Sequence, residues 1–303
     1  MSKKLVSLFL AALMLISCLP VLAESAAITV TDMYGREITL SEPATRIVVM
    51  QPSDCEILCA IGCEDAIVGR GLYVDYPASI LEVPVVQSGA ATNVEEILAL
   101  QPQVVLMNSM SQSEEQVKQL EENGVKVVVS TTSDIASVYT AITLIGRLMG
   151  KDAEAEAVIA DMQATFDEIR AKVSGETKKV YFEISPPPYL YTAGSSSYMN
   201  ELAEICGITN IFGDQEDAWL MISEEQVIER DPDYIVLITN MGSAGVEEIL
   251  SREGWGDISA IKNGKVFNDD DSCMARPSPR LKDAAVELYN FVYEVEAEEV
   301  PAA

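Results

Sequence analysis

Between residues 152 and 173 apolar side chains return every three or four positions, at Ala155, Val158, Ile159, Met162, Phe166, Ile169 and Val173. That period places them on one face of an α-helix. No Gly or Pro interrupts the run, and Gly150 and Gly175 bracket it. The pattern predicts a helix of about 22 residues, roughly 33 Å long. On either side, short apolar runs alternate with amphipathic ones. Before the long helix the pattern predicts a β-hairpin over 28–40 that turns at 33–36. It predicts strands over 46–50, 66–69, 83–86, 103–107 and 125–129, and helices over 54–61, 93–100, 113–123 and 133–149. Asn93 and Ser133 are the expected caps of two of these. After it, strands are predicted over 179–184, 234–238 and 265–267, and helices over 198–206, 223–230, 246–250 and 278–295.

Alternating strand and helix implies a largely parallel sheet with helices on both faces. The fold class expected is therefore α/β: two similar Rossmann-like lobes joined by a single long helix acting as a rigid strut, with a ligand cleft between them. The corresponding divisions are a leader over 1–23, a first lobe over 28–132 and connecting helices including the strut over 133–175. A second lobe follows over 176–295, and an acidic tail over 296–303.

An internal repeat supports the two-lobe plan. Residues 93–103 match 223–233: a capping Asn93 or Ser223, then Glu95 or Glu225, then the apolar pairs Ile97-Leu98 and Val227-Ile228. Pro102 and Pro232 then lead into an apolar strand. A weaker pairing sets Glu56-Ile57, ending at Gly62, against Glu201-Leu202, ending at Gly207.

Charge narrows the function. Twenty basic residues face 48 acidic ones, a formal charge of −28. Phosphate backbones need basic neutralisation, so nucleic acid is excluded as a partner, and anionic lipid is disfavoured. Histidine is absent. Ser-His-Asp, Cys-His and His-ligated zinc sites are excluded in their usual forms.

Lys3 and Lys4, the apolar run 5–16 and Val21-Leu22-Ala23 read as an export signal. Leu15-Ile16-Ser17-Cys18 also resembles a bacterial lipobox, with Cys18 as the lipidated residue. Lipidation would leave Leu19-Pro20-Val21-Leu22 as a greasy tether, which favours cleavage after Ala23. Either outcome puts the protein outside the cytoplasm, in the periplasm or on the outer face of the membrane. Cys55, Cys59 and Cys63 follow a four-residue step that would align three thiols on a helix. The apolar stretch around them favours small core residues instead, and no metal site is assigned. The odd cysteine count of the mature chain suggests reduced thiols. Gly194-Ser195-Ser196-Ser197 precedes a helix as either an anion-binding loop or a serine cap, the latter favoured. Pro186-Pro187-Pro188 is a stiff segment expected to hold Tyr189 toward the cleft.

Ordered motifs along the mature chain carry a resemblance. They are Val30-Thr31-Asp32 with Gly35-Arg36, Arg46-Ile47-Val48, Asp75-Tyr76-Pro77, Glu95 with Pro102, and Tyr191-Thr192-Ala193-Gly194-Ser195. Gly207-Ile208-Thr209-Asn210-Ile211-Phe212, Glu225 with Asp231-Pro232-Asp233, and Arg276-Pro277-Ser278-Pro279-Arg280-Leu281 complete them. In this order the chain resembles the helical-backbone substrate-binding proteins of ABC importers for iron-siderophores, haem and vitamin B12. The resemblance implies a monomeric binding protein without enzymatic activity or cofactor. Its cargo would be an iron chelate, haem or a corrinoid, delivered to a permease with its ATPase. It implies that Glu95 and Glu225, each in the first turn of its helix where the dipole favours a carboxylate, meet arginines of the permease.

Ligand candidates come from loops after strands: Tyr73, Asp75, Tyr76, Asn108 and Met110 in the first lobe; Pro188, Tyr189, Tyr191, Trp219, Asn240, Met274 and Arg276 in the second. Tyr and Trp offer flat apolar faces with a polar handle. Arg276, pinned between prolines, is suited to paired hydrogen bonds with an oxyanion; the alternative is an ion pair with the nearby run 269–271. Two tryptophans that frame the corrin in vitamin B12 receptors are replaced here near Gly89 and at Asn108. A chelatase-like enzyme on the same plan, or a surface scavenger without a permease, are the competing readings.

Overall fold

The computed structural model describes residues 27–88, 92–108, 113–238, 242–269 and 271–295. The leader with Cys18, the acidic tail, Gly89, Met110 and Asn240 lie outside the described residues.

The chain opens with the expected hairpin, β1 (Ile28–Thr31) against β2 (Glu37–Leu40), turned at Gly35 with φ of 77°. Next come β3 (Ile47–Val49), α1 (Pro52–Ala60), β4 (Ile67–Gly71), β5 (Val85–Val86) and α2 (Val94–Ala99). Then β6 (Val104–Met107), α3 (Glu114–Glu122) and β7 (Lys126–Val129) complete a parallel sheet ordered β5-β4-β3-β6-β7. Asn93 caps α2 by accepting the N–H groups of Glu95 and Glu96, as its position predicts.

Two long helices follow, α4 (Ile135–Met149) and the strut α5 (Asp152–Lys172). Asp134 rather than Ser133 caps α4. Both residue types suit the role, but the Asp134 carboxylate accepts from the Ser137 N–H at 2.7 Å. The second half contains β8 (Lys179–Glu183), β9 (Tyr191–Ala193), α6 (Tyr198–Ile205), β10 (Thr209–Asn210), β11 (Trp219–Met221) and α7 (Glu224–Arg230). It ends with β12 (Tyr234–Leu237), α8 (Gly242–Ser251), α9 (Ser259–Lys262), β13 (Val266–Asn268) and α10 (Leu281–Tyr293). Its parallel sheet runs β10-β8-β12-β13, and β9 pairs antiparallel with β11 as a separate ribbon. α10 starts three residues later than its pattern suggests: Pro279 disfavours helical backbone at Ser278, whose hydroxyl bonds Glu56.

Both sheets build outward on one side of their first strand and then cross to the other. The reversal falls between β3 and β6, and again between β8 and β12. At such a point the loops diverge and leave a crevice at the carboxyl ends of the strands. The repeat extends to the backbone. Gln101 and Asp231 both take positive φ, 51° and 45°, directly before Pro102 and Pro232.

Strand alternation decides what packs where. Ile47, Val49, Val104 and Leu106 of the first sheet, with Val180, Phe182, Tyr234 and Val236 of the second, enter one shared core. Val48, Val105 and Val127 face a separate outer core, as do Tyr181, Ile235 and Leu237 in the other lobe. The strut is thus not a bare rod between two lobes. Its apolar face (Ala155, Met162, Phe166 and Ile169) is buried within the shared core, beside α4 and α10. Gly146 permits that approach: a Cβ there would lie 2.5 Å from the Ala155 Cβ. An amphipathic helix removes its apolar face from water only by packing, so the two halves are joined through their interior. Among the described residues, no helix is long and apolar enough to cross a membrane.

Candidate functional site

A hollow of about 750 Å³ opens between the carboxyl ends of the two sheets. Gln51, Pro52 and Ser53 follow β3, Tyr73 follows β4, Asn108 follows β6, and Ser130 to Ser133 follow β7. From the other half come Ile184 after β8, Ile238 after β12, and Ser272, Ala275, Arg276 and Pro277 after β13. Tyr198 and Met199 at the start of α6, and Trp219 on β11, close the wall. The Trp219 and Tyr198 rings meet edge to face at 5.5 Å between centroids.

Three carboxylates hold these loops in place. Asp54, buried in α1, accepts from the Ser130 hydroxyl at 2.7 Å and from the Gln51 amide at 2.6 Å, tying the β3 and β7 loops together. Burial pushes its pKa up to about 6, against the pull of those two bonds. Asp269, at the end of β13, accepts backbone N–H groups of Cys273, Met274 and Ala275, and so curls the loop that presents Arg276. Burial also raises Asp269 to about 6.

Glu56 is the third. It sits on α1, buried, and reaches across to the other half. It accepts from the Ser278 hydroxyl at 2.5 Å, from Arg276 Nη1 at 3.2 Å and from Arg280 Nη1 at 3.3 Å. Burial raises its pKa, opposed first by the Ser278 bond and then by the two arginines. Arg276 Nη2 also pairs with Asp75 at 2.7 Å, and the Arg280 guanidinium lies 3.8 Å above the centre of the Tyr76 ring.

The structure brings together Tyr73, Asn108, Trp219 and Arg276 as lining residues. Asp75 and Tyr76 do not line the hollow; they brace Arg276 and Arg280 at its side. Among the described residues Arg276 pairs with Glu56 and Asp75, and not with Asp269 or Asp271. Met274 is fully buried, because the wrap around Asp269 turns its side chain into the core. Tyr191 pairs with Met221 on the exposed face of the β9/β11 ribbon, while Thr192 and Ala193 are buried. Tyr189 and Pro188 are exposed outside the hollow. Ser185 donates to the Tyr189 carbonyl and closes a turn there, so the proline segment leads Tyr189 outward instead of into the cleft. Sequence reasoning missed Gln51 and the run 130–133, although each directly follows a predicted strand.

Ser197 is a helix cap: its hydroxyl accepts the Asn200 N–H and donates to the Gly194 carbonyl. Cys55 is buried and Cys59 half-buried on α1, while Cys63 lies beyond the helix end with its thiol on the Ile61 carbonyl. The three thiols therefore do not share a helix face.

Residues 47–273 match the family described as periplasmic binding protein. The uncharacterized ABC transporter substrate-binding lipoprotein YvrC of Bacillus subtilis is 31% identical over 273 residues, covering 88% of this chain and 85% of its own. The vitamin B12-binding protein of Salmonella choleraesuis is 28% identical over 254 residues, 83% of this chain and 91% of its own. A solved structure described as a possible iron-binding (periplasmic solute-binding) protein of Staphylococcus epidermidis superposes with a TM-score of 0.70. It shares 28% identity and covers 83% of this chain and 100% of that one.

Proposed function

This chain belongs to the periplasmic binding protein family, and from that premise we propose that it captures a metal complex outside the cytoplasm and hands it, unchanged, to the permease of an ABC importer. The cargo class is an iron-siderophore, haem or a cobalamin-type compound. The observation that carries this reading is the hollow, walled by strand-end loops of both halves and large enough to enclose much of such a ligand. The vitamin B12 relative and the neighbour described as a possible iron-binding protein support the choice of cargo. The protein acts by binding and carries out no chemistry on its cargo.

Glu95 and Glu225 are the proposed docking pair, one for each half of the permease. Both are exposed, both lie in the first turn of equivalent helices, and both precede the same proline turn. A Ser223 hydrogen bond holds the Glu225 carboxyl below the usual carboxylate range, so it is ionised at neutral pH.

The test is an uptake assay with radiolabelled iron complexes and cobalamin in cells with and without this chain. High-affinity uptake of one of them is expected to vanish with the chain, and the compound eluted from purified protein is expected to be chemically intact. Unaltered uptake of all of them, or an altered eluate, would refute the proposal.

A further inference from the structure

We propose that the hollow selects an electrically neutral ligand rich in hydrogen-bonding groups, and that Arg276 clamps the two halves together and is not a receptor for anions. The inference rests on the reading of the hollow as the cargo site and adds its charge selectivity. Arg276 is the one cation among the described lining residues. Both of its terminal nitrogens are engaged, one on Glu56 at 3.2 Å and the other on Asp75 at 2.7 Å. Its neighbour Arg280 shares Glu56 at 3.3 Å. Two guanidinium groups and two carboxylates sum to no net charge. An incoming anion would have to displace Asp75, and the freed carboxylate would then sit beside it.

Among the described lining residues no second cation compensates. Asp54 lies directly behind Ser130, and Asp269 behind the loop of Ala275. The formal charge of −28 on the chain as a whole further disfavours the approach of anions. An anion buried here would lose its hydration without gaining an uncommitted cation among the described lining residues. The hollow is lined by the hydroxyl-bearing side chains of Thr131, Thr132 and Ser133, together with the aromatic rings of Tyr73 and Trp219. These suit amide, carbonyl and hydroxyl groups arranged around a metal.

The test compares probes of different charge by titration of the purified chain. The probes are a neutral ferric trihydroxamate, net-neutral cyanocobalamin, haemin with its two carboxylates, and a trianionic ferric tricatecholate. At least one neutral probe is expected to bind about 100-fold or more tightly than either anionic probe, a gap of two decades in Kd. Asp75→Asn, at an exposed position, frees one Arg276 nitrogen and is expected to raise anion affinity relative to the neutral probe by roughly 10-fold. An anionic probe binding as tightly as the neutral ones, or an unchanged ratio in Asp75→Asn, overturns the charge assignment and leaves the cargo-site reading standing. Failure of all four probes to bind overturns both.

Discussion

The Arg276 guanidinium of the second half meets the Glu56 carboxylate of the first at 3.2 Å, across 220 positions of sequence. Glu56 also accepts from Ser278 and Arg280, so one buried carboxylate gathers three side chains of the opposite half. Taking away one partner of a buried ion pair strands the others. Glu56→Ala is expected to destabilise the protein by about 3 kcal/mol or more. The measurement is the urea unfolding midpoint with the slope held as a check on compactness. An unchanged midpoint would show the cluster to be energetically idle.

Asp54 predicts a pH dependence. Its folded pKa is raised from the ordinary 3.8 to about 6 by burial. The folded state therefore holds this proton more tightly than the unfolded state does. The stability it contributes is fully present below about pH 4 and is lost as pH rises through about 6. A shift of this size corresponds to about 3 kcal/mol. Asp54→Asn cannot ionise, so between pH 4.5 and 7.5 it should lose about 2 kcal/mol less stability than the parent protein, the first third of the effect being already spent at pH 4.5. Asp269 and Glu287, raised to about 6 and about 7, titrate in the same sense in both proteins and cancel in the difference. Parallel stability curves for the two proteins would contradict the assignment.

Trp219 presents a half-exposed ring to the hollow and touches Tyr198 edge-on. Trp219→Ala is expected to weaken ligand binding by 10- to 100-fold, about 1–3 kcal/mol, as for a removed aromatic anchor. Its unfolding midpoint should move little, because the ring is not part of the core. Equal affinity by titration would place the ligand elsewhere.

Glu95→Ala combined with Glu225→Ala should leave the ligand Kd unchanged and abolish uptake into cells. Each single change should give partial loss, since each removes one of the two proposed attachment points. Normal transport by the double variant would rule the pair out.

Much of this architecture was legible before any coordinates. The strut, the alternating strands and the repeated cap-Glu-Pro unit all follow from local periods and local capping chemistry, which act within a few residues. What resisted reading depends on partners far apart in the chain. The short strands β9, β10 and β11 carry too few residues to show a period. Tyr191 and Thr192 alternate faces, and only the pairing with β11 decides which one points outward. Arg276 was visible as a cation on a stiff loop, but its partner on α1 was not. Glu56 looked like an ordinary residue of a short helix. Met274 stood in a promising loop, and the backbone wrap on Asp269 turned it inward.

The shared interior behind the hollow bears on unloading. Ile47 and Leu106 on one side, Phe166 in the middle and Phe182 on the other belong to a single packed mass. Close-packed interiors resist being sheared or wedged open. A wide swing of one half would tear that mass and expose it to water, so passengers come and go through small yielding at the rim. The joined interior thus assigns loading and unloading to the lips of the crevice rather than to a hinge between the halves.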